Sequence, residues 1–300
     1  MQGKPVRLIS DALLAELLNT AHAAMEATDL LLVSPLSLWG YHLAEAAGCP
    51  LVVLSPVPIM ATGDFPFLGF PASPTSKRRG GTRRRLRRRL NRGSYRLVSL
   101  LKWRQDARVI QAFRRDRLGL EPLPWGGAQS RRRPPAQLAN PPVLHLISPQ
   151  VVPRPVDWNA SAALTGFCFL EPRSAAGAIL PTAYSPDRDL TAFLENGAAP
   201  FYAGFGSMIT RDPEALADLV VAFFADQPAW GRTLEQLGVS PATHRLKTLS
   251  AEALATSIRA LAGDSRYRQR AQELQQVLSR EDGVASTVKA IELELSGGRR

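Results

Sequence analysis

The segment LLLVSPLSLWGYHLAEAAGCPLVVL, residues 30–54, decides the fold of this chain. Its two ends, Leu30–Val33 and Leu51–Leu54, are unbroken apolar runs of the length expected for buried strands. Between them, Ser34-Pro35 is typical of a helix start and Gly48 of a helix end. Strands that are apolar on both faces need helices on both sides of a parallel sheet. The segment therefore predicts a β-α-β crossover within a doubly wound α/β domain.

The flanking segments extend this pattern. Ser10 precedes a stretch whose apolar residues recur at helical spacing as far as Met25, which predicts a capped helix leading into the first strand. Val143–Ile147 and Leu164–Phe169 are predicted as further strands. The Pro-, Gly- and Phe-rich segment Pro56–Pro74 follows the carboxyl end of a strand, which is the edge where open α/β sheets bind ligands.

The net charge of +11 is concentrated in one segment. Lys77–Arg96 contains eleven Lys or Arg residues and no acidic residue, which equals the whole formal excess. We predict a basic loop here, followed by a long helix from about Ser94 to Arg117. With 45% hydrophobic and 21% charged residues, the chain is typical of globular proteins and not of disordered ones.

Other features exclude several classes of protein. Cys49 and Cys168 lie in apolar stretches without metal-ligand spacing, so we expect buried free thiols and neither a disulfide framework nor a zinc site. The longest apolar runs are far shorter than the ~20 residues that span a bilayer, and the start lacks a secretory signal. We therefore expect a cytoplasmic protein, which could also lie peripherally at the inner membrane surface.

The last hundred residues begin with a predicted strand, Phe201–Phe205, and a helix start at Asp212. Three amphipathic helices then finish the chain, and we predict that their apolar stripes face the core. The stripes are Leu254, Ile258 and Leu261 in one helix, Tyr267, Ala271, Leu274 and Leu278 in the next, and Val284, Val288, Ile291 and Leu295 in the last.

Four segments in register resemble the sterol glucosyltransferases and related UDP-glycosyltransferases. They are Val151–Trp158 (VVPRPVDW), Tyr202–Met208 (YAGFGSM), Asp226–Gly231 (DQPAWG) and Glu281–Gly283 (EDG). The resemblance implies a GT-B-like fold of two Rossmann-like halves, here with a partial N-terminal half and a severely truncated C-terminal half. It also implies inverting transfer of a hexose from a nucleotide diphosphate sugar, UDP-glucose by expectation, to a hydroxyl of a sterol, lipid or polyketide-like acceptor, with no cofactor and no metal.

The resemblance assigns donor-binding roles to particular residues. Gly204, Gly206 and Ser207 would let backbone N–H groups approach the diphosphate, although a tight turn without a ligand is an open alternative. Asp226 and Gln227 would hydrogen-bond the sugar hydroxyls, or Asp226 would cap the helix that begins at Pro228; both can hold at once. Trp230 would pack under the sugar or fill the core.

Parts of the family pattern are absent. A strand-crossover-strand unit needs roughly 30 residues, so the interval from Ser207 to Phe223 cannot hold one complete unit. Pro213–Phe224 fits either one helix or a helix followed by a strand. The family's first strand, its Gly-rich loop and its catalytic base have no match at the start. The catalytic residue is therefore unknown, because no histidine has a recognisable acidic partner: His22, His42, His145, His244.

These observations predict three segments: a partial acceptor-side domain at 1–150 with the basic loop at 77–96, a linker with connecting strands at 151–198, and a truncated donor domain at 199–300. We expect a glycosyltransferase whose activity is impaired or lost. The alternative is a non-enzymatic remnant that binds an anionic membrane or nucleic acid through Lys77–Arg96. The flanking Phe65, Phe67 and Phe70 favour lipid over specific nucleic acid, and a solvated insertion without a partner stays open.

Overall fold

The structure, a computed structural model, describes residues 9–68, 70, 81–127, 134–135, 138–169, 187–196, 227–244 and 249–297. The chain divides into two compact units, one of residues 1–168 together with 219–300 and one of residues 169–218. The first unit contains the sheet and is described below. In the second, α4 (Arg188–Glu195) begins at Asp187, whose side chain accepts a hydrogen bond from the Leu190 N–H.

A four-stranded parallel sheet forms the centre of the first unit, with strand order β1-β2-β3-β4. The strands are β1 (Leu31–Val33), β2 (Leu51–Ser55), β3 (Val143–His145) and β4 (Ala162–Leu164). The predicted α/β class with a parallel sheet is confirmed. The prediction of a strand over Leu164–Phe169 is wrong, because Gly166 adopts a φ of 93° that leaves the extended region just after β4.

The crossover between β1 and β2 forms as predicted, but in two pieces. Ser34 begins a short 3-10 helix at Pro35–Ser37, and α2 (Gly40–Ala47) follows. A Cβ on Gly40 would lie 2.6 Å from Val33 Cγ1, so the glycine permits α2 to approach β1 closely. Gly48 ends α2 in the left-handed conformation, with a φ of 66°.

Helix α1 (Asp11–Ala23) also forms as predicted, with the Ser10 side chain accepting a hydrogen bond from the Leu13 N–H. Its buried face packs against α2 and against a long helix, α3 (Gly81–Asp116), in one cluster: Leu14, Leu18, Leu43, Ile110, Phe113. A second cluster joins the sheet to α2 and the chain near Leu138: Val33, Ala44, Cys49, Leu51, Val53, Leu138, Val143. Cys49 is buried as predicted, and burial raises the pKa of its thiol. Cys168 is exposed, so the prediction that it is buried is wrong.

Helix α3 (Gly81–Asp116) is 36 residues long and contains most of the basic run. The prediction of a basic loop is therefore wrong from residue 81 onward, and residues 77–80 lie outside the described ranges. The physical reason is that Arg and Leu are strong helix formers and no proline interrupts this stretch. The single Gly93 costs about 1 kcal/mol, which the remaining residues can offset.

The predicted C-terminal helices are confirmed as α6 (Ala251–Gly263), α7 (Ser265–Leu278) and α8 (Gly283–Gly297), preceded by α5 (Gln227–Gln236). The expectation that all three apolar stripes face the core is wrong for six residues. Ala271 is exposed, and the five larger side chains are 37–46% exposed: Leu254, Ile258, Leu261, Val284, Val288. No helix among the described residues is both long enough and apolar enough to cross a bilayer.

Candidate functional site

The loop that follows β2 lies at the carboxyl edge of the sheet, where the sequence places a ligand site. Among the described residues 56–68 and 70, this segment has neither helix nor strand, as predicted for Pro56–Pro74. Ser55, the last residue of β2, starts the loop by donating a 2.5 Å hydrogen bond from Oγ to the Val57 carbonyl. The loop therefore leaves the strand through a local side-chain turn.

His145, the last residue of β3, holds the middle of this loop. Its Nε2 accepts a 3.3 Å hydrogen bond from the Ile59 N–H, so its Nδ1 carries the proton and donates to the Ala163 carbonyl at 3.2 Å. The ring stacks on Trp158 with centroids 4.4 Å apart, and Trp158 Nε1 donates to the Met60 carbonyl. Burial lowers the pKa of His145 to about 4. A neutral ring with both nitrogens engaged positions the loop and is not free to take a proton from a substrate.

Asp157 lies in the turn before β4 and links the loop after β2 to α3. Its carboxylate accepts hydrogen bonds from Thr62 Oγ1 at 2.6 Å and from the Gly63 N–H at 2.8 Å. Arg92 donates to the same carboxylate at 2.5 and 3.0 Å, and Arg88 lies 3.1 Å away while it also pairs with Asp64. Burial acts to raise the pKa of Asp157, but the bonds from Thr62, Gly63 and Arg92 lower it to about 2.

The inner face of α3 continues this attachment through the backbone of the loop. Asn91 Nδ2 donates to the Gly63 carbonyl at 2.8 Å, and Ser94 Oγ accepts from the Phe67 N–H at 2.8 Å. Phe67 packs edge-on against Tyr95, with ring centroids 5.5 Å apart. Burial, and then the charge of Asp157, raise the pKa of the Tyr95 hydroxyl. The loop is thus fixed against α3, and Phe67 is engaged by the protein.

A second polar cluster joins the segments after β3 and β4 to the start of α8. Ser148 Oγ donates to Glu281 Oε1 at 2.8 Å, and Thr287 Oγ1 donates to Thr165 Oγ1 at 2.8 Å. A Cβ on Gly283 would lie 2.3 Å from the Phe167 carbonyl oxygen, so only glycine allows this approach. The Glu281-Asp282-Gly283 segment therefore packs against the same edge of the sheet as the loop.

Most of the predicted donor-binding residues lie outside the part of the chain that the structure describes. Gly204, Gly206, Ser207 and Asp226 lie outside the described residues, as do the predicted strand Phe201–Phe205 and the helix start at Asp212. Gln227 is the first residue of α5, with a side chain outside the described atoms. Trp230 is half-buried within the same helix. The sugar and diphosphate roles of these residues stay predictions.

The other histidines occupy three unlike environments. His42 is buried, and its Nδ1 lies 3.1 Å from Nη1 of Arg114, a fully buried side chain that also pairs with Glu45 at 2.7 Å. His22 packs edge-on against a phenylalanine of α3, and His244 Nε2 lies 2.7 Å from a serine hydroxyl. The described residues contain no group of three or more His, Cys, Asp or Glu side chains placed to hold a metal ion.

Sequence reasoning missed the Asp157 and His145 contacts as a single loop anchor. Asp157 and Trp158 stood in a quoted motif, but nothing in their spacing pointed to Thr62 and Gly63, which lie more than ninety residues away. The fold defines an α/β protein whose parallel sheet is consistent with one Rossmann-like half of a GT-B glycosyltransferase. Among the described residues, the candidate site is the anchored loop at the carboxyl edge.

The chain is similar to named sterol glucosyltransferases over most of its length. Two sterol 3-beta-glucosyltransferases of Arabidopsis thaliana are both 24% identical over 335 and 332 residues, which cover 88% and 87% of this chain and 50% and 48% of the relatives. A sterol 3-beta-glucosyltransferase of Leptosphaeria maculans is 29% identical over 212 residues, 69% of this chain and 13% of that protein. These homologues support a sterol glucosyltransferase-like UDP-glycosyltransferase family for the chain, as its motifs predicted. No family model matches it.

The extent of these matches differs between the chain and its relatives. The chain spans about half the length of the Arabidopsis proteins. The alignment with the first of them extends over 335 positions, although this chain has 300 residues and 88% of them are matched. The relative therefore has segments inside the matched region that have no counterpart here.

Proposed function

We propose that the chain is a sterol-type glycosyltransferase. Its acceptor-binding domain is present, and its donor-binding domain is incomplete. The reaction of this type transfers a hexose, UDP-glucose being the expected donor, to the hydroxyl of a sterol or related lipid with inversion. The observation that supports this best is the likeness to named sterol 3-beta-glucosyltransferases over most of the chain. The anchored loop at the carboxyl edge supplies the position where an acceptor would lie.

The donor roles of the C-terminal residues belong to the same proposal. Asp226 and Gln227 would hold the sugar hydroxyls, while Gly204, Gly206 and Ser207 would contact the diphosphate through the backbone. Trp230 would pack beneath the sugar. Binding would need no metal ion and no cofactor, so we expect chelation by EDTA to leave the affinity for the donor unchanged.

Three features support impaired or absent turnover. The interval between Ser207 and Phe223 is too short for a strand-crossover-strand unit, which takes roughly 30 residues. The relatives have matched-region segments that this chain lacks. A transferase holds its donor and acceptor in one geometry, and loss of that geometry removes a large part of the rate enhancement. His145 offers no replacement base, because both of its ring nitrogens are engaged.

The test separates donor binding from turnover. Purified protein is incubated with UDP-glucose and a detergent-solubilised sterol, and glucoside formation is followed by mass spectrometry. We expect no product above the no-protein control; turnover at roughly 1 per second or faster would overturn the proposal of impaired activity.

Donor binding is measured separately by calorimetry with UDP-glucose. We expect weak binding that Asp226→Asn abolishes. Asp187→Asn is the matched control, since Asn caps α4 equally well. Equal binding by wild type and Asp226→Asn would refute the sugar role of Asp226.

A second role of a different class is association of the basic segment with an anionic surface. The supporting observation is the exposure of its arginines along α3, which gives a dense row of cations. A membrane surface would suit a lipid acceptor and a cytoplasmic protein held at the inner face of the membrane. Nucleic acid is the competing anion.

A further inference from the structure

Helix α3 presents a row of leucines to solvent on the side opposite the loop. Leu86, Leu90, Leu97 and Leu101 are 57%, 61%, 47% and 53% exposed. At 100° per residue, their spacing of four, seven and four places them within about a 60° sector of the helix circumference. The row extends over about 22 Å at a rise of 1.5 Å per residue. Large apolar side chains exposed together in this way indicate an interaction surface.

Arginines run parallel to this row. Arg85, Arg89 and Arg96 are exposed, and each immediately precedes one of the leucines in the sequence. They form a second row about 100° around the helix from the first. An apolar row beside a row of cations is the pattern of helices that lie in the plane of a lipid surface, with leucines among the acyl chains and guanidinium groups at the phosphates.

The inner face of the same helix contacts the loop after β2 and the Asp157 carboxylate. Arg88 and Arg92 pair with Asp157, Asn91 bonds the Gly63 carbonyl, and Tyr95 packs on Phe67. These contacts fix the rotation of α3 on the domain, so its leucine row is held outward. The Phe67 ring packs on Tyr95, so we assign the lipid contact to the leucine row and not to Phe67.

We propose that the outer face of α3, formed by the leucine row and the arginine row, docks the protein onto an anionic phospholipid surface. The charge of the arginine row complements anionic headgroups and selects them over neutral ones. Nucleic acid fits less well, because the leucines lack the π-faces on which bases stack. The proposal deepens the surface association proposed above and is independent of the transferase assignment.

The experiment is flotation of the full chain with vesicles of phosphatidylcholine alone or mixed with phosphatidylglycerol. We expect binding to the mixed vesicles that weakens with salt, and little binding to the neutral ones. The triple variant Leu86→Gln, Leu90→Gln, Leu97→Gln should lower the partition coefficient roughly tenfold to a hundredfold. The variant Arg85→Gln, Arg89→Gln, Arg96→Gln should lower it similarly at low salt and weaken its salt dependence.

The matched control replaces three exposed apolar residues elsewhere, Leu254, Ile258 and Leu261 of α6, by glutamine. It should bind vesicles as the wild type does, and circular dichroism should give all variants wild-type helix content. Three results would overturn the proposal: equal binding to neutral vesicles, unchanged binding by the leucine variant, or an equal loss in the α6 control. Tight binding to single- or double-stranded nucleic acid that the leucine variant retains would instead assign the face to nucleic acid. Because sterol turnover is measured in detergent, failure of vesicle binding and failure of transfer are separate outcomes.

Discussion

The substitution Asp157→Asn tests whether one carboxylate fastens the loop after β2 to helix α3. In the structure, Asp157 accepts hydrogen bonds from Thr62, Gly63 and Arg92. Asparagine keeps the shape of the side chain but loses the charge, and its amide group turns a donor toward donors. We therefore expect the variant to fold with the loop less firmly attached.

The magnitude follows from the pKa of the carboxyl. A fall from 3.8 to about 2 corresponds to about 2.4 kcal/mol of preference for the charged form. Since the Arg92 side chain is 48% exposed, water screens part of this, and we expect about 1–2 kcal/mol from the charge. The donor left without an acceptor adds about 1 kcal/mol. The variant should therefore lose about 2–3 kcal/mol at neutral pH, a large share of the 5–15 kcal/mol typical of a domain.

The pH dependence identifies the carboxylate as the cause. Its folded pKa lies below its unfolded pKa, so its contribution is complete above about pH 4 and is lost as the pH falls toward about 2. Urea unfolding followed by circular dichroism, at several pH values from neutral to the lowest at which both proteins stay folded, gives the difference between wild type and variant. That difference should be constant near neutral pH and should begin to shrink below about pH 4.

The control is Asp116→Asn, because Asp116 is an exposed partner of the adjacent Arg115. We expect no measurable loss of stability there. A change of less than about 0.5 kcal/mol in Asp157→Asn, or a difference that does not shrink in acid, would refute the anchoring role.

Three further predictions concern other parts of the structure. Gly48→Ala should cost about 1 kcal/mol of stability, because Gly48 has a φ of 66°. Gly93→Ala should stabilise the protein by up to about 1 kcal/mol, since Gly93 lies within α3 with open space around it. Thermal unfolding measures both changes. His145 should stay neutral to about pH 5 in NMR titration, because its folded pKa is about 4 and its contribution to stability is lost only as pH falls from about 6.5; a midpoint near 6.5 would contradict this. Leu254→Gln with Ile258→Gln should change the free energy of unfolding by less than about 1 kcal/mol, as both are already partly exposed, and a loss of 3 kcal/mol or more would place them in a core.

The first half of the fold could be predicted because its signals are local. The β1-α2-β2 unit has apolar strands, a Ser-Pro helix start and a Gly48 stop within 25 residues, and each local signal agrees with the final structure. The candidate site could not be predicted in the same way. Its anchor joins Asp157 to Thr62 and Gly63 across more than ninety residues, and no spacing rule links positions so far apart.

The basic segment shows why composition alone led to the wrong prediction of a loop. A run of eleven cations suggests a solvated loop by charge repulsion, but helix propensity and the acidic partners Asp64 and Asp157 favour a helix. The prediction that the apolar stripes of α6 and α8 are buried was wrong for another reason. A 3.6-residue period reports that one face of a helix is apolar, but it does not report whether the chain supplies anything to cover that face.

Pairing with Asp157 divides the arginines of α3 into two groups that mutation can separate. Arg88 and Arg92 face Asp157, so their replacement should lower stability through the loop anchor. Arg85, Arg89 and Arg96 face solvent, so their replacement should leave the free energy of unfolding unchanged and alter only binding to anionic surfaces. If all of these arginines stabilised the fold, replacing either group would lower the free energy of unfolding. Unequal losses, with surface binding following only the outer group, are what a helix with one structural face and one docking face requires.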